Sequence, residues 1–223
     1  GSQPVSMDRE NVKYLSKLKY CVCEKTDGVR YMLLIWKNRF YFIDRKFEFH
    51  VLKDVDLGAA GSFLESLPYL DHINLNKATV LDGELLLETK AEKPYLCYWV
   101  FDIACVNDRN VSQHSLLNRL HMVRSFVIHP LHEAVSSHTL FLPFQMRLKP
   151  MYNLDQTIFV WNDVVQHLSH ECDGLIFTPI RDPYVAGSCL KLLKWKPLDK
   201  NSADFKLQGE VIHGKRFFHL QVL

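Results

Sequence analysis

The chain has 223 residues, 48% of them hydrophobic and 23% charged, with a formal net charge of only +2. This composition is ordinary for a soluble globular protein with a proper core, and it excludes a global basic field; any nucleic-acid binding rests on local clusters. No apolar run is long enough to span a bilayer, and no secretory leader is read at the start.

Taken in chain order, Gln3-Pro4-Val5-Ser6 reads as extended. Residues 8–18 predict a short helix, with Ser6 or Asp8 capping it and Val12, Leu15 and Leu18 on one face. Strands are predicted over 20–24 and 31–36, joined by a tight loop that carries Lys25, Asp27 and Arg30. Lys37-Asn38 is a turn, followed by a paired strand over 39–43. Residues 54–70 are mixed, with a short helix around 62–67. A strand over 79–87 is interrupted by Asp82-Gly83-Glu84, and 95–103 is a strongly apolar strand ending in Asp102.

Leu116, Leu117, Leu120, Val123 and Val127 recur at helical spacing and predict a helix over 115–128. Trp161, Val164, Val165 and Leu168 predict another over 157–168. Strands follow over 174–178 and 190–195, and the end is strand-like over 204–207 and 216–222. Strands outnumber helices and neighbours can pair as hairpins. The predicted class is therefore α+β, with largely antiparallel sheets and flanking helices. A boundary is expected near 197–202, dividing residues 1–200 from a short piece, 201–223.

The six cysteines include no CxxC pair, and Cys21 and Cys23 would point the same way on one strand. They read as reduced thiols of an intracellular protein, mostly core filler. His129 and His132, like His167 and His170, are three apart, but neither pair has a partner cysteine or acid at ligand spacing. Surface or half-buried histidines are expected there.

The chemistry lies where charge interrupts apolar strands. Glu24-Lys25-Thr26-Asp27-Gly28-Val29-Arg30 is one such place, and Phe42-Ile43-Asp44-Arg45 is another. Val80-Leu81-Asp82-Gly83-Glu84, Cys172-Asp173-Gly174-Leu175 and Leu193-Lys194-Trp195-Lys196-Pro197 repeat the pattern. Charge in such runs is costly unless paired, metal-bound or at a strand edge, so the strands are expected to converge on one charged cleft. Nucleotidyl transfer suits this set. Lys25, stripped of water, is the candidate nucleophile. Lys194 and Lys196 alternate, share a strand face and can clamp a phosphate. Glu84 and Asp173 can hold Mg²⁺ or Mn²⁺, and Phe101 can stack on a base.

In order, Lys25-Thr26-Asp27-Gly28-Val29-Arg30, Leu81-Asp82-Gly83-Glu84-Leu85, Tyr98-Trp99-Val100-Phe101-Asp102, Asp173-Gly174-Leu175-Ile176-Phe177 and Leu193-Lys194-Trp195-Lys196-Pro197 resemble the motifs of the GTP:RNA guanylyltransferases. These are the mRNA capping enzymes of the covalent nucleotidyltransferase superfamily, which also holds ATP-dependent DNA and RNA ligases. The resemblance runs from Gln3-Pro4-Val5-Ser6 to Asn201-Ser202-Ala203-Asp204-Phe205. It implies a nucleotidyltransferase domain of the ATP-grasp-like or DNA-ligase-like kind over 1–200, and the first strands of an OB-fold lid over 201–223.

The resemblance also implies roles. Lys25 would attack the α-phosphate of GTP and become lysyl–GMP, which passes GMP to the 5′-diphosphate end of RNA. Thr26, Arg30 and Arg45 would contact the nucleotide. Glu84 and Asp173 would position metal or ribose, and Phe101 would stack on guanine. Lys149 would read the guanine O6, and Lys194 and Lys196 would grip the α-phosphate. The implied setting is a nuclear enzyme, with the RNA polymerase II C-terminal tail and an RNA triphosphatase as partners and no membrane. The family's last, arginine- and lysine-rich lid motif has no match, so slow adduct formation is expected. A ligase charged by ATP, and a lid-less fold serving as a binding module, are the competing readings.

Overall fold

The strands sort into two main sheets, and the chain crosses between them within the charged tract that carries Lys25. The computed structural model describes residues 1–53, 55–67, 72–90, 92–201, 205–212 and 215–222. Asp54 and positions 68–70 of the stretch expected to be mixed lie outside the described residues, as do Ser202, Ala203 and Asp204 at the expected boundary and strand start.

In chain order the strands are β1 Ser2–Ser6, β2 Tyr20–Thr26, β3 Val29–Trp36, β4 Arg39–Ile43, β5 Phe49–Val51, β6 Thr79–Lys90 and β7 Lys93–Val106. They continue with β8 Arg109–Asn110, β9 Gln145–Leu148, β10 Tyr152–Asn153, β11 Cys172–Pro179, β12 Gly187–Trp195, β13 Phe205–Ile212 and β14 Lys215–Val222. The first sheet has the order β1-β12-β11-β2-β10, antiparallel except for the parallel β1–β12 pair. The second runs β5-β4-β3-β6-β7-β8, antiparallel throughout, with β9 lying parallel beside β7. Strands β13 and β14 form a hairpin of their own. The α+β, largely antiparallel expectation holds.

Alternation explains the second sheet's inner face. Leu33, Ile35, Phe40, Leu81 and Val100 are fully buried and pack against Val123, Val127 and Leu131 of the long helix. The first sheet builds its own core from Tyr20, Val22, Leu175, Phe177 and Leu193, covered by Val160 and Trp161.

Several local expectations change. Residues 8–18 were expected to be helical, but only Tyr14–Lys17 is. Asp8 Oδ1 accepts the backbone N–H groups of Glu10 and Asn11, and Asn11 Nδ2 donates to the Ser6 carbonyl. These side-chain bonds offer the backbone turns instead of a helix. The strand expected to break at Asp82-Gly83-Glu84 runs on to Lys90, with irregular register between Val80 and Gly83. Ser115 caps its helix by accepting from the Asn118 N–H, and the helix passes through wider π turns at Val123–Ile128 and continues over His129–Ser136. The short strands β5, β8, β9 and β10 had no sequence prediction, because two to four residues carry too little periodicity.

The largest change concerns the Lys25 tract. Lys25 and Thr26 belong to β2 itself, not to a loop. Strands β2 and β3 do not pair as a hairpin; β2 pairs with β10 and β11, and β3 with β4 and β6. Only Asp27-Gly28 crosses from one sheet to the other. Gly28 passes so close to β6 that an added Cβ would lie 2.9 Å from both Glu84 Cγ and the Leu85 carbonyl oxygen.

Candidate active site

The crossing opens a cleft of about 350 Å³ between the two sheets, within the size range of small-molecule sites. From the first sheet come Lys25, Thr26, Lys194 and Lys196. From the second come Arg30, Glu84 and Phe101, with Arg45 just beyond β4 and Lys149 just beyond β9. Nine of the ten sequence-predicted site residues therefore line one cavity. The tenth, Asp173, does not line it but is bonded to two residues that do.

Asp173 Oδ1 lies 2.7 Å from Lys25 Nζ, and its Oδ2 lies 2.5 Å from Lys196 Nζ. Partial burial would raise this carboxyl, but hydrogen bonds from Lys196 and Lys25 outweigh it and hold the group below the usual aspartate range. Gly174 lets β11 approach β12 here, since an added Cβ would sit 2.0 Å from the Trp195 carbonyl oxygen.

Lys149 is 4% exposed and pairs with Glu24 Oε1 at 3.1 Å, with the Thr26 hydroxyl as a second partner. Burial would raise the Glu24 carboxyl, but its close contact with His170 and the charge of Lys149 pull it below the usual glutamate range. Arg30 forms a fork on Asp82, with Nε 2.9 Å from Oδ1 and the other contact at 2.6 Å from Oδ2. Tyr184 donates to the same Oδ2 at 2.5 Å, and the Arg30 guanidinium lies 5.2 Å from the Phe101 ring centroid. Among the described residues, no carboxylate lies within ion-pair distance of Arg45 or Lys194. Both are free to meet an anion.

The expected metal pair fits unevenly. Glu84 is half-buried, and among the described residues no cation lies within ion-pair distance of it; burial raises its carboxyl, opposed by the charges of Lys149 and Lys25. A hard-oxygen donor in that setting suits Mg²⁺ or Mn²⁺. Asp173 does not fit as it stands, because both its oxygens already face ammonium groups. Among the described residues, the compact three-ligand group is Asp44, Glu48 and His50, not Glu84 with Asp173. Of the paired histidines, His132 lies 2.7 Å from the Met146 carbonyl oxygen and His167 2.7 Å from that of Asp163, whereas His170 is buried between Glu24 and Glu88. All six cysteines are free, and four of them are buried.

Sequence reading missed the supports of the site. Tyr184 lines the cleft and holds Asp82, and Asp82, Arg119, Glu88 and His170 brace the cleft from behind. Alternation of Glu84, Leu86 and Glu88 along β6 was a usable signal that Glu88 shares a face with Glu84. Nothing local to Tyr184 marks it, and His170 was marked only by its spacing from His167.

Among solved structures, a mycobacterial DNA ligase D complexed with ATP and MES superposes with a TM-score of 0.55 at 15% identity, covering 93% of this chain and 62% of that one. The fold is thus that of a DNA-ligase-type nucleotidyltransferase domain. The family model described as mRNA capping enzyme, catalytic domain, matches residues 1–198. The chain is 36% identical to an mRNA-capping enzyme subunit alpha of Schizosaccharomyces pombe, over 94% of this chain and 53% of that protein. It is 35% identical to an mRNA-capping enzyme of Mus musculus, over 93% of this chain and 34% of that protein. The chain therefore belongs to the mRNA capping enzyme catalytic-domain family. It spans about a third to a half of the length of these curated relatives.

Proposed function

We propose that the chain carries the nucleotidyl-transfer site of an mRNA 5′-cap guanylyltransferase. The observation that carries this reading is Lys25 at the cleft wall, with Asp173 2.7 Å away on β11, Lys194 on β12 and Lys196 just past its end. In the first step, the Lys25 nitrogen bonds to the α-phosphorus of GTP, the bond from that phosphorus to the bridging oxygen breaks, and pyrophosphate leaves. The ammonium sheds one proton to water before attack, and the nitrogen loses a second to water as the phosphoramidate forms. Lys196 on the other oxygen of Asp173 neutralises that carboxylate and loosens its hold on the Lys25 ammonium. Lys194 and Lys196 meet the α-phosphate, Arg30 and Arg45 the sugar and outer phosphates, and Phe101 the base. Lys149 donates to the guanine O6, and Thr26 steadies it. A divalent cation at Glu84, completed by phosphate oxygens, would neutralise charge on the departing pyrophosphate. Asp173 becomes available to it only as its lysines turn to phosphate.

In the second step, GMP passes to the 5′-diphosphate end of RNA. An RNA triphosphatase that prepares this end, and the RNA polymerase II tail that brings it, are the partners this reading names, in the nucleus. Among the described residues, no helix is long and apolar enough to cross a membrane. Residues 201–223 are proposed as the opening strands of an OB-fold lid, supported by the separate β13–β14 hairpin.

The test is incubation with α-labelled GTP or ATP and Mg²⁺ or Mn²⁺, followed by a denaturing gel. Covalent label is expected from GTP and not ATP. It should be lost on Lys25→Ala and on chelating the metal. Label from ATP alone would move the chain to the ligases, and GTP binding without label would favour a binding module.

A further inference from the structure

Behind the cleft, one imidazole is held between two carboxylates. His170 lies between the run of short helical turns over residues 154–167 and β11, with its side chain only 3% exposed. Its Nδ1 is 3.2 Å from Glu88 Oε1, and its Nε2 is 3.5 Å from Glu24 Oε1. Nε2 is fully buried, has no hydrogen-bond partner among the described residues and faces Glu24 Oε1 at that distance. Glu88 is itself fully buried on β6 and is tied down on every side. It accepts from Trp99 Nε1 at 2.7 Å and from the Tyr95 hydroxyl, with Arg147 3.8 Å away. Glu24 in turn holds Lys149, which reaches Thr26. A continuous chain therefore runs from half-buried Tyr95 and Arg147, through Glu88, His170 and Glu24, to Lys149 in the cleft.

Packing alone does not account for this chain. A core could bury leucine here at lower cost than two carboxylates and an imidazole. Its inner end is the one cleft cation that this reading assigns to the base. A donor held rigidly at that point accepts a base with a carbonyl oxygen there. It rejects a base with an amino group, which would leave two donors facing each other.

We propose that His170, clamped between Glu88 and Glu24, is a positioning residue for the base end of the cleft: it fixes Glu24, which fixes the Lys149 ammonium and so sets the preference for guanine over adenine nucleotides. This rests on the functional reading above. In His170→Ala, the ratio of adduct formed from GTP to that from ATP is expected to fall about tenfold, through a higher KM for GTP with kcat nearly kept. His170→Gln, which restores a donor toward Glu88, should recover part of the ratio. Tyr95→Phe removes one outer tether of Glu88 without opening the core, and should lower the ratio about twofold to threefold.

An unchanged ratio in folded His170→Ala would overturn the proposal. If that variant does not fold, an unchanged ratio in Tyr95→Phe overturns it alone. If the unaltered chain forms no adduct, the functional reading fails instead. Equilibrium affinities for GTP and ATP then test the same ratio in the same variants.

Discussion

Asp173 takes its place from a pairing of distant strands and its character from two lysines. Its position beside Lys25 follows from β11 pairing with β2, which no local pattern announces. What it touches is two lysines, and this makes a pH prediction. A carboxyl held below its usual value of 3.8 contributes stability above that value and loses it as pH falls through the lowered one. Wild type should therefore be more stable than Asp173→Asn by about 1–3 kcal/mol at neutral pH. In thermal melts the gap should narrow steadily as pH falls below 3.8. A difference that persists into strong acid would mean that shape, not charge, is what Asp173 supplies. The lysines and Glu84 were legible in sequence because charge inside an apolar strand is rare. Tyr184 was not, because a tyrosine is ordinary anywhere until its hydroxyl is seen on Asp82.

At the scale of elements, one buried ion pair fixes the long helix to the second sheet. Arg119 is 2% exposed, and its Nε lies 2.6 Å from Asp102 Oδ1. It also donates to the Asp182 carbonyl at 3.1 Å, so it ties the helix to the turn after β11. Burial raises the Asp102 carboxyl, and Arg119 opposes that rise. Arg119→Met would strand a carboxylate in the core and should cost about 3–5 kcal/mol by urea denaturation. Arg119→Met with Asp102→Leu should recover much of the loss. If the double variant is no better than the single one, stranded charge is not the cause. The sequence reading took Asp102 as a strand-end acid and put the helix's end at 128. The helix continues because Val127, Leu131 and Ala134 keep facing the same core.

At the scale of the whole chain, the β13–β14 hairpin stands apart. It is hydrogen-bonded within itself and shares no ladder with either sheet. Phe205, Leu207, Val211, Phe217, Phe218 and Leu220 are all exposed on it. A two-stranded hairpin has no stability of its own without a partner surface. Ending the chain after Lys200 is therefore expected to move the melting temperature by less than about 2 °C and to reduce self-association, read by calorimetry and light scattering. A large drop in melting temperature would show that the hairpin supports the two-sheet body.

The α+β class, the strands that carry charge and the order of the motifs along them were all legible in the chain's local pattern. Those features are local: periodicity of two for a strand, and an isolated lysine or acid where an apolar residue belongs. Only the tertiary structure decided that β2 and β3 part into different sheets at Asp27-Gly28, and that the cleft lies in that gap. It alone put Asp173 against Lys25, and His170 between Glu24 and Glu88. Such pairings join residues up to 148 positions apart, as Lys25 and Asp173 are. They depend on which sheet each strand enters, which is settled by the burial of whole faces and not by any residue's neighbours in the chain.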